Sequence, residues 1–157
     1  MNRLLLICAL ASSLVVAAPA FGAEPERVAM LLDQQKIKYE VDKDKDYKIV
    51  FEFDADKRTQ IVYVSGAVEE LDGMKIRTVF APAALVDKNP IGDRMKSLLE
   101  YNGKSKVGAY ELDGNILYFA SRMVEPFTGE ELKAMLNVIA SVADDMEKEI
   151  SGDKDEL

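Results

Sequence analysis

The residues whose spacing could do chemistry are mostly acidic. Asp42, Asp44 and Asp46 stand at alternate positions, as do the first ligands of an EF-hand calcium loop. That loop also requires glycine at its sixth position for a sharp turn and a bidentate glutamate at its twelfth. Those places hold Tyr47 and Phe53. Alternating Asp and Lys ahead of a strand reads instead as a solvated turn with partly neutralised charge, and no metal site is assigned. Ser151 and Lys154 have the Ser-x-x-Lys spacing of some serine hydrolases. That chemistry needs a desolvated lysine on a rigid helix, whereas these two fall in a polar tail. The pairs Glu69/Glu70, Glu130/Glu131 and Asp144/Asp145 are adjacent in sequence, and adjacent helical residues point apart rather than at one substrate. They read as solvated, charged surface.

The inventory removes more than the motifs add. The chain has no histidine, and its one cysteine is Cys8. With Cys8 expected to leave with the N-terminal segment, zinc sites built from Cys and His, histidine-ligated haem, thiol catalysis and a Ser-His-Asp triad are excluded. Carboxylate chemistry and oxygen-ligated calcium or magnesium remain open in principle. No residue is assigned a catalytic or cofactor-binding role, and no cofactor is expected. The net charge of −8 argues against nucleic acid as a partner, because phosphate binding rests on basic surface.

Both ends match addressing patterns. Asn2 and Arg3 lead into an apolar run from Leu4 to Ala18 and then into Ala-Pro-Ala-Phe-Gly-Ala, the plan of a secretory signal peptide over residues 1–22. Small residues at −3 and −1, Ala20 and Gly22, favour cleavage after Gly22 over cleavage after Ala23. Cys8 leaves with that segment, and Ile7 before it is too bulky for a lipoprotein signal. The expected product is periplasmic or secreted, one charge more negative than the whole chain, with no disulfide and no stable membrane anchor. About 134 residues are enough to bury a core without crosslinks. The C-terminus reads Lys154-Asp155-Glu156-Leu157, the endoplasmic-reticulum retention signal. The residues before it are drawn from the same few types, so a chance ending is the preferred reading and a luminal location the lesser alternative.

Between these ends the periodicity outlines a single α+β domain over residues 24–150, followed by a polar, frayed tail over 151–157. Val28, Leu31 and Leu32 recur at helical spacing after Pro25, giving a helix from about Glu24 to Gln35. Period two follows. Ile49, Phe51 and Phe53 alternate with Lys48, Val50 and Glu52; Ile61 and Tyr63 alternate with Gln60, Val62 and Val64; Met74, Ile76, Thr78 and Phe80 alternate with Lys75, Arg77 and Val79. Asn89-Pro90 reads as a helix start, with Met95, Leu98, Leu99 and Tyr101 as its buried side and Gly103 as its stop. Asp113-Gly114 joins two further strands in a tight hairpin. Thr128 with Glu131 forms a capping box ahead of the stripe Leu132, Met135, Leu136, Ile139 and Val142 or Ala143. The order α-β-β-β-α-β-β-α predicts an antiparallel sheet with helices mainly on one face.

A family resemblance is carried by particular runs. These are Lys38-Tyr39-Glu40-Val41-Asp42, Phe51-Glu52-Phe53, Val79-Phe80-Ala81-Pro82, Leu98-Leu99 through Gly103 to the Tyr110–Phe119 hairpin, and Thr128-Gly129-Glu130-Glu131-Leu132. In them the chain resembles the YbjN-like family of bacterial proteins, whose fold is similar to that of type III secretion chaperones. The resemblance implies a sensory-regulatory or chaperone-like binding role and brings no catalytic residues. The methionines Met74, Met95, Met123, Met135 and Met146, with Tyr63, Tyr101, Tyr110, Tyr118, Phe80 and Phe119, read first as ordinary core, although such adaptable side chains also suit peptide binding. The functional expectation is a non-enzymatic protein- or peptide-binding domain, with a homodimer allowed. The alternative from another class is a small hydrolase or metal-dependent enzyme that relies on carboxylates alone. An exposed apolar groove or open strand edge would favour the first; acidic residues converging in a deep pocket would favour the second.

Overall fold

The computed structural model describes residues 24–53, 57–152, 154 and 157. The signal peptide read over residues 1–22, its cleavage point, and tail residues 153, 155 and 156 lie outside the described residues. The elements run α1 (Glu24–Gln34), β1 (Glu40–Val41), β2 (Tyr47–Phe53), β3 (Arg58–Val64), β4 (Glu69–Leu71), β5 (Met74–Leu85), α2 (Met95–Asn102), β6 (Ala109–Asp113), β7 (Ile116–Val124) and α3 (Gly129–Ser151). All strand pairings are antiparallel, in the order β1-β2-β3-β5-β7-β6 with β4 beside β5. The α+β class and the sequence order of the main elements are as expected. The two short strands β1 and β4 are additions that the periodicity was too brief to reveal.

Turn chemistry sets the registers. Leu71 pairs with Met74 across Asp72-Gly73, and both turn residues have positive φ, 50° and 81°, the backbone twist that suits a two-residue hairpin. In the second hairpin Asp113 pairs with Ile116, so the loop is Gly114-Asn115 rather than Asp113-Gly114. Glycine takes the first loop position because φ there is 55°.

The helices lie on one face. The stripe of α3 (Leu132, Leu136, Ile139, Ala140, Ala143) is buried against β3, β5 and β7, and α1 packs beside α3 through Val28, Leu31 and Leu32. Thr128 caps α3 by accepting from the Glu131 N–H, while the Glu131 carboxylate accepts from the Thr128 N–H at 2.7 Å. α2 starts later than Asn89-Pro90 suggested, behind a short 3-10 turn over Gly92–Arg94. Of its four expected core residues only Leu98 is buried; Met95, Leu99 and Tyr101 are exposed. Eight residues resting on the edge strand β6 bury only one side chain, although the exposed Tyr101 ring still meets the core rings of Tyr110 and Phe119 at 5.1 and 6.1 Å. The Asn102 amide instead clasps that edge, donating to the Tyr110 carbonyl at 3.0 Å and accepting from its N–H at 2.7 Å.

The faces of β3 and β5 are the reverse of the apolar reading. The residues under the helices are Arg58, Gln60, Val62 and Val64 on β3, and Arg77, Val79 and Ala81 on β5. Ile61, Tyr63, Ile76 and Phe80 point to the other side.

Candidate binding surface

The polar side chains under the helices are there because each has a partner. Arg58 Nε donates to Asp144 Oδ1 at 2.8 Å, its Nη2 lies 2.9 Å from Glu147 Oε2, and its Nη1 donates to the Lys154 carbonyl at 3.0 Å. Asp144 also holds Lys148 at 2.7 Å. Arg77, fully buried, donates through Nε to Glu125 at 2.7 Å and through Nη1 to the Gly66 carbonyl at 3.2 Å. Burying a charge is tolerated only when it is paired and hydrogen-bonded, and both guanidinium groups meet that condition. Asp144 is therefore not solvated surface, contrary to the reading of the adjacent carboxylate pairs. Its burial and that of Glu147 continue the α3 stripe at helical spacing, a signal legible in the sequence had acidic residues been allowed on the stripe. The two acids converge on a guanidinium, where they hold the fold.

Among the described residues the opposite face carries no helix, and its central strands place an aromatic row on it. Lys48 pairs with Tyr63, Tyr63 with Phe80, and Phe80 with Ala120, so one ladder row crosses four strands. The Tyr63 and Phe80 rings stack at 5.2 Å with 17° between planes, and Tyr118 meets Phe80 edge-on at 5.7 Å. These rings, read from sequence as ordinary core, are half-buried. Partial burial together with the Asp42 and Asp46 charges raises the Tyr63 phenol above its ordinary range; burial and Asp113 do the same to Tyr118. Both phenols stay neutral at physiological pH and present a donor and an acceptor on an apolar ring. Val50, Ile61, Ile76 and Val124 extend the apolar area, and the Arg122–Glu111 ion pair stands at its edge.

Beyond Arg122 the sheet opens into a groove of about 420 Å³ between the end of β7 and the first half of α3. Met123, Phe127, Met135 and Val138 line it, with Arg122 and Glu131 on its rim. Hydrogen bonds from its own N-cap hold the Glu131 carboxyl below the usual range. The methionines thus divide: Met123 is core, Met135 and Met146 are partly buried against it, and Met74 and Met95 are exposed.

The other sequence-level candidates have structural occupations. Asp42 Oδ1 accepts the N–H groups of Asp44 and Asp46, both at 2.9 Å, and Asp46 Oδ1 accepts from Gly66 at 2.9 Å. The run is a self-bonded turn tied to the β3–β4 connection, where a side chain at Gly66 would sit 2.0 Å from the Lys45 carbonyl oxygen. Among the described residues no group of three or more His, Cys, Asp or Glu is placed to hold a metal ion. The Ser151 hydroxyl lies 2.7 Å from the Glu147 carbonyl and 3.0 Å from the Lys154 carbonyl, so it faces main chain. Glu69, Glu70, Glu130 and Glu131 are exposed, as expected. The tail is not simply frayed, because the Lys154 carbonyl serves a buried arginine. Among the described residues no helix is long and apolar enough to cross a membrane.

No curated protein matches the chain. The family model of YbjN, described as "Putative bacterial sensory transduction regulator", matches residues 24–151, which take in every strand and helix above. The resemblance seen in the strand and helix runs is borne out, and the chain belongs to the YbjN family.

Proposed function

We propose that this protein is an exported, non-enzymatic domain that binds a protein or peptide in a regulatory or chaperone-like role, and that the sheet face opposite the helices is where it binds. The observation that carries this is the row Tyr63–Phe80–Tyr118: three aromatic side chains, half-buried in contact with one another on a rigid sheet, with an apolar groove beside them. Soluble domains rarely leave contiguous apolar surface open without a use for it, and aromatic residues on rigid elements make efficient anchors because they lose little conformational freedom on docking. The family description as a sensory transduction regulator fits such a role. Export rests on the charged, apolar and small-residue segments over residues 1–22. The partner is met outside the cytoplasm.

Two measurements test this. Intact mass of the protein from cells should show a start at Ala23 or Glu24 in a non-cytoplasmic fraction; a soluble cytoplasmic product with Met1 attached refutes export. Affinity capture from the same fraction should retain a partner that is lost with the triple variant Tyr63→Ala, Phe80→Ala, Tyr118→Ala, provided that the variant keeps its circular dichroism. Capture unaffected by the triple variant removes the open face as the binding surface.

A further inference from the structure

Open strand edges occur at several places, and they are not equivalent. In the β5–β7 ladder Glu125 N–H donates to the Lys75 carbonyl at 2.8 Å, which makes Met123, paired with Arg77, the next hydrogen-bonded position toward β5. The N–H and C=O groups of Arg122 and Val124 therefore point the other way, toward the line that β6 would occupy. β6 begins only at Ala109, opposite Ala120, and no strand of the described residues pairs with Arg122 or Val124 on that side. Gly108 marks why β6 begins there. A Cβ on it would lie 2.5 Å from the Ala120 carbonyl oxygen, so the chain crosses β7 too closely to run alongside it. The outward edge of β6 is guarded at Tyr110 by the Asn102 amide. The outward edge of β2, at Val50 and Glu52, borders a hollow lined by Asp33, Lys36, Lys38 and Glu40, which is charged. The Arg122–Val124 edge is the one flanked by the apolar groove of Met123, Phe127, Met135 and Val138.

We infer that Arg122–Val124 is a strand-addition site: an extended peptide with apolar residues at alternate positions continues the line of β6, bonds to the outward main-chain groups of Arg122 and Val124, and sets its apolar side chains in the groove against α3. Main-chain pairing supplies affinity in this mode and the pockets for alternate side chains supply selectivity. Charge adds a direction, since Glu131 on the α3 rim favours a basic residue at that end of the peptide. This rests on the binding role proposed above and names the chemical form of the ligand.

The probes are short synthetic peptides with Leu, Ile, Val, Phe or Met at alternate positions, Thr between them and one terminal Lys, read by fluorescence anisotropy against residues 24–157. At least one should bind saturably, and N-methylation of the residues that face β7 should weaken it by about tenfold or more. Val124→Pro deletes one outward N–H, a change that edge strands accept, and should do the same with the melting temperature kept. Amide exchange needs no variant: Arg122 and Val124 should slow on peptide binding while Val50 and Glu52 do not. Binding indifferent to N-methylation and to Val124→Pro, or no binding by any peptide, overturns the site. So does a concentration-dependent dimer abolished by Val124→Pro, which would assign the edge to a second copy. If cellular capture persists in Val124→Pro but is lost in the aromatic triple variant, the edge assignment alone fails.

Discussion

Each face of the sheet carries a minority of residues unusual for its side. Beneath the helices lie two arginines and a glutamine, each with side-chain exposure near zero, while the face toward solvent carries Tyr63, Phe80 and Tyr118. The difference teaches where each kind of energy is used. Ion pairs under α3 join β3 to residues 144–147 with a direction and register that apolar contact alone would not set, while the row Tyr63, Phe80 and Tyr118 stands on the other face. Buried ion pairs are weak evidence for stability, since a well-packed apolar replacement is often as good. What the contacts fix is position: they tie β3 to Asp144 and Glu147 of α3.

The comparison breaks most severely at Arg58. Arg58→Ala leaves Asp144 and Glu147 buried without their cation, and is expected to cost about 3–5 kcal/mol in urea unfolding. Replacing Arg58, Asp144 and Glu147 together with Met, Leu and Leu should recover most of that loss; if the triple variant is as unstable as the single one, desolvation is not the cause. Leu136→Ala, at the centre of the α3 stripe, should cost about 2–5 kcal/mol, against about 1 kcal/mol for Tyr118→Ala on the open face. Equal losses would mean that the open face is packed as a core. Ending the chain after Ile150 removes the carbonyl that Arg58 reaches at Lys154, and should cost about 1 kcal/mol rather than nothing. An unchanged melting temperature would show that water replaces it fully.

The smallest effect is set by pH. Burial raises the Tyr110 phenol above its ordinary value of 10.0, so at alkaline pH the folded state keeps a proton that the unfolded chain releases. Stability is full below that ordinary value and falls as pH rises toward the folded one. Tyr110→Phe should lose less stability than the parent between about pH 9 and 11 in paired denaturation curves, a difference that sharpens how dry the helix-covered face is.

Much of this architecture could be read from periodicity and caps. The α3 stripe and its capping box, the three main strands of the first meander and the second hairpin all follow from residue spacing, because long periodic segments constrain one another. The assignment of faces did not follow. On β3 and β5 either parity offers apolar residues, and choosing between them needs knowledge of what sits across the core. Arg77 is acceptable inside because Glu125, 48 positions away, and the Ser65 and Gly66 carbonyls take its hydrogen bonds. Leu99 shows the converse, an apolar residue at helical spacing left exposed because α2 meets an edge strand rather than a second layer. The open-face aromatics were visible as residues and invisible as a surface for the same reason.

Arg58 and Asp144 stand 86 positions apart, so the pair forms only once β3 and α3 have met. Before α3 docks, the β2–β3 hairpin carries a positive charge on the face it must bury, and burying that charge unpaired is costly. Closing this face and seating the last helix are thereby one event.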